Sequence, residues 1–530
     1  MSNAAAAAPG TSQPKRAGLV LGALILGAIV ANINLSVANI ALPDIGKNFD
    51  ASQTSINLVA VGCTLGLAMS VLYFGALGDR YGRKLMLTLG LALTLPASAV
   101  SAWAPNVEIL IGGRIFTGIA AGLAYPTTLA LITALWSEGP ARVKAIALWS
   151  GISAGAMVIG PVIAGWLLES FWWGSVFLIA VPFAVVSLLL VVVAVPAHVN
   201  ESTKPVDNIG GLISVAMIAL LVLGLGTIAS PGGFASAALA LVASFLLIGL
   251  FLWRQTRASN PLYELKYAKR TMFWAPTVAG MIIFGSLMGS MFIGQQYLQN
   301  VLSYSTLAAG LAILPSALAL IAVAPVSAKL VIGIGSRNTM LLGYAFILPA
   351  FLVMLFAWKV ETSYFWIGLA YLLIGIGAGL VLTPASRALT ASVPVSRVGM
   401  ASGTTDLQRD LGGAIMQAIL GSLLTAGYAA AFASAVSASS EASQVSASTE
   451  ASLQLSYASA ASIASQYPQY SSQIIEAAKQ SFLNGANWAY AAGTVAVVLG
   501  ALLVGMRVPR KEKEDELLAQ YAKADANVSA

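Results

Sequence analysis

The chain has 530 residues, 58% of them hydrophobic and only 9% charged, with a mean hydropathy of +0.84. A water-soluble domain carries about 25% charged residues, so this composition excludes a soluble globular protein. The net charge of +7 would suit a nucleic-acid partner only if it gathered on one soluble face.

A helix needs about 20 mostly apolar residues to cross a hydrocarbon layer ~30 Å thick. In chain order, runs of that kind predict helices over 17–42, 54–77, 85–104, 108–135, 143–168, 172–195, 209–229, 233–253, 272–299, 306–332, 339–358, 363–385, 400–427 and 485–506. That makes fourteen spans. The first run is too long for the apolar core of a cleavable signal and lacks a convincing cleavage site, so it reads as a span. Between 209 and 253 only Ser230-Pro231-Gly232-Gly233 separates two short spans. Residues 254–271 form a basic linker. Residues 428–484 form a Ser- and Ala-rich loop whose alanine content allows helix, with a short amphipathic piece suggested at Ile474-Ile475-x-x-Ala478, but which reads as a flexible hydrophilic lid; 507–530 read as a solvated, mixed-charge helix end.

Charge orients the spans. With both termini on one side, that side receives 22 of the 27 lysines and arginines. The other receives only Lys47, Lys359 and Lys479, while Arg114 and Arg409 lie inside spans. Basic residues concentrate on the cytoplasmic side of membrane proteins, which predicts an integral cell-membrane protein with both termini in the cytoplasm. The basic excess then reads as topology and contact with anionic lipid, with no nucleic-acid partner. The single cysteine, Cys63, lies in an apolar run and reads as a small buried residue without a disulfide partner. The single histidine, His198, sits in a polar loop and reads as solvated. One Cys, one His and no acidic cluster leave no material for a metal centre or a Ser-His-Asp site, so neither metal nor cofactor is expected and the chain reads as a non-enzyme.

The most specific motif is Gly75-x-Leu77-Gly78-Asp79-Arg80-x-Gly82-Arg83-Lys84, joining spans 2 and 3. Charge topology accounts for its basic residues but not for its glycine spacing or its acid. Asp79 can sit at the N-terminus of span 3 or pair with an arginine of a neighbouring helix, a breakable clamp between helices that slide. This loop resembles the signature of the major facilitator superfamily. Span 5 carries Gly151 and, after eight residues, Gly160-Pro161-x-x-Ala164-Gly165. This is similar to the superfamily's antiporter motif, with Ala164 where Gly is usual. Small residues let helices approach and Pro161 kinks the span; a plain packing face is the other reading. Arg114-x-x-x-Gly118 in span 4 resembles the family's intramembrane arginine motif. Arg114 lies ~10 Å from the outer end of its span, and a buried arginine is costly enough to make function the default reading. A structural bond to a helix carbonyl or acid, or snorkelling, stands beside it.

Fourteen spans resemble the drug:proton antiporter branch, which has two extra central helices. Three stretches look like that branch: Asn34-x-Ser36-x-x-Asn39-x-Ala41-Leu42-Pro43, Gln296-Tyr297-Leu298-Gln299-Asn300 through Ala309-Gly310 to Pro315, and Ser402-Gly403 to Arg409-x-x-Gly412-Gly413. The departures are informative. Asn34 stands where the branch usually has Asp, and Asp406 and Asp410 stand where span 13 usually has Asn and Gln. The two acids lie one turn apart on a face shared with Arg409. Asp410 is expected to carry the proton, with Asp406 tuning it and Arg409 and Arg114 as the associated cations; a structural Asp–Arg network is the competing reading. Asn32, Asn34, Ser36, Asn39, Gln295, Gln296 and Gln299 are expected to line a central cavity. Trp149, Tyr297, Met288 and Met291 serve there as apolar contacts or as packing.

The fold expected is an all-α polytopic membrane protein. A six-helix bundle over 17–195 and another over 272–506, the latter including the outer loop 428–484, flank two extra central helices and their linkers in 196–271. The tails 1–16 and 507–530 lie in the cytoplasm. The resemblance implies a monomer that contacts lipid and exports small amphipathic or cationic compounds in exchange for protons, by rocking about a midplane site. Loss of the acid at Asn34 leaves open a lipid-like cargo or altered proton coupling. An integral-membrane enzyme and a channel are the readings from other classes.

Overall fold

A computed structural model describes residues 14–49, 53–197, 205–227, 234–439 and 446–529. His198 and the break at Ser230–Gly233 lie outside the described residues, as does the side chain of Asn39. Among the described residues the structure is helical throughout. The long helices are α1 (Ala17–Ser36), α2 (Gln53–Tyr81), α3 (Arg83–Ala102), α4 (Val107–Leu135), α5 (Pro140–Leu168), α6 (Ala180–Ala194), α7 (Asn208–Thr227), α8 (Phe234–Arg257), α9 (Thr271–Gln296), α10 (Leu314–Ala357), α11 (Tyr364–Ala391), α12 (Val398–Ala438), α13 (Ser471–Arg507) and α14 (Lys511–Ser529). Thirteen described segments are long and apolar enough to cross a membrane. The two runs at 306–332 and 339–358 fall in one of them, Leu307–Ala357, where α10 continues through a non-helical Gly335 at φ +82°. With no Cβ, glycine takes that left-handed backbone at little cost.

Several physical devices make these helices suited to lipid. Inside a bilayer each backbone group must be satisfied within the protein, and the helices do this for their polar side chains too. Thr94, Ser101, Thr117 and Thr133 each donate to the carbonyl four residues back. Apolar surface points outward: Phe234, Leu239, Phe245 and Leu246 of α8 are each more than 60% exposed, a belt that only hydrocarbon can cover. Between helices the hydrophobic effect is lost to lipid, so close backbone contact takes its place. A Cβ at Gly118 of α4 would stand 2.1 Å from the Cys63 carbonyl oxygen of α2. The chain is an integral membrane protein.

The buried apolar residues gather in two large clusters. One draws on residues 20–195; the other draws on 275–508, with Ala154 as its only earlier buried member among the described residues. The two halves meet along a seam where α2 and α4 pack on α12, and α5 packs on α10 and α11. Helices α7 and α8 pair through Ser244, which donates to the Met217 carbonyl (2.7 Å). Helix α7 lies against α2 and α12, with α8 on its far side, and their apolar cluster also takes in Leu407 and Leu411 of α12. The two extra helices thus flank the seam rather than fill it.

One expectation is corrected and another refined. The 428–484 loop is not a flexible lid. Helix α12 runs on to Ala438, and short helices Ala447–Leu455 and Tyr457–Gln466 then fold back against it and α13. Tyr428 donates to the Leu453 carbonyl (3.1 Å), and Leu453, Ala460 and Ala464 are buried. The described part of the loop is a packed cap, because alanine there supplies both helix propensity and a small apolar face. The 507–530 tail is exposed along much of its described helix, as expected of a solvated end, but it is also anchored to the bundle. Glu514 of α14 is buried and accepts from the Ser336 amide (2.8 Å), the Ser336 hydroxyl (2.6 Å) and Arg387. Lys511 donates to the carbonyls of Ile332 and Gly333, and Asp525 pairs with Arg270 (2.7 Å). Helix α14 therefore staples the start of α9, the Gly335 break of α10 and the end of α11 together on the face that carries the basic turns.

Candidate functional site

The residues singled out by sequence fall into three places. The first is a clamp at the basic face. Arg83 donates through Nη2 (2.8 Å) and Nε (3.2 Å) to Asp79 Oδ1, and through Nη2 to the Val395 carbonyl (2.6 Å) across the seam. Asp79 Oδ1 also accepts from the Gly399 amide (3.0 Å). Asp79 thus meets the N-terminus of α12, where unpaired amides and the helix dipole favour an anion. It does not serve the N-terminus of span 3, one of the two placements the sequence allowed. Gly75 lets α2 lie backbone to backbone on Gly399, since a Cβ there would come 2.6 Å from its carbonyl oxygen. Gly82, at φ +111°, turns the chain between α2 and α3. Arg80 stays half-buried beside the Tyr81 ring, and Lys84 ties down the Val192 and Val195 carbonyls.

The second place is the α5 face. A Cβ at Gly151 would meet Ala324 at 2.4 Å, and one at Gly155 would meet Ile321 at 2.6 Å, both in α10. Gly160 lies against the Ser36 hydroxyl and Gly165 near Leu307, while Pro161 sits inside the helix. The small residues of this motif therefore carry the seam between α5 and α10 as well as the contact with α1.

The third place is a charged layer near mid-span. Counting ~1.5 Å per residue, Asp406 and Asp410 lie ~12 and ~18 Å from the start of α12. Asp406 is fully buried, and neither of its carboxylate oxygens has a hydrogen-bond partner. Asp410 is half-buried, with Oδ2 partnerless. Asp406, not Asp410, is therefore the more enclosed acid. Among the described residues neither acid pairs with Arg409, so the direct Asp–Arg network is not formed. Arg409 reaches across the seam to the Tyr125 hydroxyl of α4 and lies over the Trp149 ring of α5, 4.9 Å from its centre. Its Nη2 is 3.5 Å from Ser386 Oγ in α11.

Arg114 lies elsewhere. It is fully buried, donates through Nη2 to the Asn34 carbonyl (2.8 Å) and through Nε to the Val59 carbonyl (3.4 Å), and covers the Phe177 ring. Those bonds tie α1 to α2 and α4, which is the structural reading, although Nη1 has no partner.

The supposed cavity residues divide. Asn32, Asn34 and Ser36 are buried and bonded to carbonyls of their own helix. Gln295 and Gln299 bond to each other (3.2 Å), and Gln295 also reaches the Ala309 carbonyl. Gln296 bonds to the Phe292 carbonyl of its own helix. Tyr297 turns away from any central layer: it stacks on Trp358 at 4.7 Å and donates to the Lys359 carbonyl (2.7 Å).

Sequence reasoning missed Tyr125, Ser386 and Gln408. Gln408 is buried with both amide atoms partnerless. The one available signal was a tyrosine before Pro126, following Ala120-Ala121-Gly122-Leu123-Ala124.

A family model for the Major Facilitator Superfamily matches residues 24–417. The multidrug efflux pump LfrA of Mycolicibacterium smegmatis is 30% identical over 502 residues, 94% of this chain and 98% of its own. The multidrug resistance protein Stp of Mycobacterium tuberculosis is 30% identical over 411 residues, 77% of this chain and 76% of its own. The methyl viologen resistance protein SmvA of Salmonella typhimurium is 30% identical over 414 residues, covering 78% and 83%. Among solved structures, the human organic anion transporter MFSD10 superposes with a TM-score of 0.56 at 16% identity, over 92% of this chain and all of its own. The proton:xylose symporter XylE gives 0.55 at 13%, over 93% and 96%. A family match over most of the length, a near full-length relative at 30% identity and a shared helical architecture together establish that this chain belongs to the major facilitator superfamily.

Proposed function

We propose that the protein is a secondary active exporter of amphipathic, chiefly cationic drugs, driven by protons entering the cell. In this reading Gly335 divides α10 into two spans, giving fourteen in all. Six-helix bundles over 17–195 and 272–506 rock about the seam while α7 and α8 ride beside it. Both termini lie in the cytoplasm, the membrane is the plasma membrane, and the working unit is a monomer. Three relatives named for multidrug efflux or methyl viologen resistance support the cargo class. The observation that carries the mechanism is the mid-span layer, where a carboxylate with two partnerless oxygens lies one turn from a guanidinium that bridges the halves.

A buried unpaired carboxylate costs several kcal/mol when ionised. Asp406 therefore gains by taking up either a proton or a cation, and one group that accepts both exchanges one for the other. Asp410, a turn further in, is the relay to the opposite face. Linkage makes the competition reciprocal: proton binding expels the drug, and drug binding expels the proton. The basic-face clamp opens to admit cargo from the cytoplasm and is closed in the conformation described. The experiment is ethidium transport in inverted vesicles, with the pH gradient intact and then collapsed. Transport that survives collapse removes proton coupling. Full gradient-driven transport by both Asp406→Asn and Asp410→Asn removes these two acids as its carriers.

A second reading, export or flipping of a lipid-like cargo, is favoured by one feature: α1 carries the neutral Asn34, bonded to the Val30 carbonyl (3.0 Å), so the first helix supplies no acid there for a cationic drug. Movement of labelled phospholipid with no movement of ethidium would select it.

A further inference from the structure

Arg409 has an acid one turn before it and another beside it, yet it turns to neither. Its guanidinium crosses the seam, donates to the Tyr125 hydroxyl, and lies 4.9 Å from the centre of the Trp149 ring and 6.0 Å from that of Tyr125. The two rings are 5.7 Å apart and inclined by 32°. Both are buried, and Arg409 itself is 3% exposed. The rings are also held by groups other than Arg409. Trp149 Nε1 donates to Thr128 Oγ1 (2.8 Å), and the Asn32 side chain faces the Tyr125 hydroxyl. Two fixed aromatic faces with a phenol oxygen between helices form a receptor for a flat, weakly hydrated cation, because the ring quadrupole attracts charge most strongly where water is excluded. That receptor is filled by a cation of the chain itself.

We propose that Tyr125 and Trp149 form the binding site for the amidinium or guanidinium head of the cargo, and that Arg409 is its resident competitor. The inference rests on the drug-export reading and deepens it, naming the head group and the residue that group displaces. When a cargo cation takes the rings, Arg409 swings to the partnerless oxygens of Asp406, three residues before it on the same face of α12. The exchange leaves no buried charge unmatched: Asp406 holds a proton while Arg409 sits on the rings and releases it as the arginine arrives, and the rings always hold one planar cation. It also gives cargo entry a mechanical effect, since the Arg409–Tyr125 bond joins the two halves and is lost as cargo binds. Planarity is the selective feature. An amidinium can reproduce the flat face and in-plane N–H donors of the arginine, whereas a compact ammonium is more strongly hydrated and offers neither.

The test is equilibrium binding of the fluorescent aromatic diamidine DAPI to the purified full chain in lipid nanodiscs, at one pH and without a gradient. Tyr125→Phe keeps the ring but removes the acceptor that Arg409 and the cargo N–H groups share, so it should change binding less than about threefold. Arg409→Gln should tighten it about tenfold or more. Trp149→Leu should weaken it about tenfold and Trp149→Phe much less. A neutral diamide of the same shape should respond to none of these changes. If Arg409 were only a brace between helices, removing its guanidinium would weaken or leave unchanged DAPI binding, and either result from Arg409→Gln, or from Arg409→Met where Arg409→Gln fails to fold, overturns the proposal. Wild-type protein that moves ethidium but does not bind DAPI overturns this inference alone. Protein that does neither removes the drug-export reading beneath it.

Discussion

Asp79→Asn tests whether the basic face is held shut by the bonds described. Within the N-terminal half, Asp79 Oδ1 accepts from Arg83 at 2.8 and 3.2 Å; those two residues are four apart and travel together. Losing that pair lowers the stability of every conformation alike. Two bonds of this clamp cross the seam, Gly399 N–H to Asp79 (3.0 Å) and Arg83 to the Val395 carbonyl (2.6 Å), and these are the clamp bonds that opening the basic face breaks. A hydrogen bond to a charged acceptor contributes about 1.5–3 kcal/mol, a neutral one about 0.5–1.5. Asparagine can still accept from Gly399, so the difference between the two classes, about 1–1.5 kcal/mol, is what the closed state loses. At 1.36 kcal/mol per tenfold, the open population should rise roughly five- to tenfold. The natural assay is a distance distribution between spin labels at Tyr81→Cys and Ser396→Cys in a Cys63→Ala background. Tyr81 is 59% exposed and Ser396 is exposed, and they stand on opposite sides of the seam. A longer distance should gain population in Asp79→Asn. A distribution identical to that of the parent, in protein that remains folded, would refute the clamp as an energetic lock.

Three further outcomes follow from the packing. Glu514→Ala removes the acceptor for the Ser336 amide, the Ser336 hydroxyl and Arg387; a loss of about 2–4 kcal/mol should lower the melting temperature of the chain in detergent. Truncation after Val508 should lower it at least as much, and unchanged melts would show that α14 merely rests on the surface. Gly118→Val would drive a side chain into the Cys63 carbonyl, where even a Cβ stands 2.1 Å away, whereas nothing lies within 4 Å of a Cβ at Gly112. The first should abolish recovery of folded protein and Gly112→Ala should not, as read by size-exclusion profile. Gly155→Leu should spare folding but cut ethidium transport about tenfold or more, because α5 could no longer close on Ile321 of α10. Transport at the parental rate would free that seam from any part in the cycle.

Much of this architecture was legible along the chain because lipid makes the rule local. A helix in hydrocarbon satisfies its own backbone, so the length of an apolar run decides whether a span exists, whatever it packs against. The glycine spacing of 75–84 and 151–165 was legible for a similar reason. Glycine at a helix crossing records how near a neighbour comes, and the structure puts backbone at Gly75 and side chains at Gly151 within the reach of a missing Cβ. Composition misled where it averaged over position. Residues 510–516 have the charges of a solvated helix, yet Glu514 turns inward to Ser336 and Arg387, 178 and 127 residues away, and Lys511 reaches the Ile332 and Gly333 carbonyls. The Ser- and Ala-rich loop likewise folds into a cap because Tyr428 finds Leu453.

What the sequence alone determined, then, was the solvent of this protein, the position of nearly every span, and the presence of three charges in one turn of the thirteenth predicted span. What only the tertiary structure decided was where those charges point. Spacing along α12 put Arg409 beside Asp406 and Asp410, and nothing local forbade a pair. Packing brought Tyr125 and Trp149, 284 and 260 residues earlier, against the same guanidinium. A long, flexible side chain settles on the best partner within its reach. The members of that set come from helices that meet only after the two halves have folded.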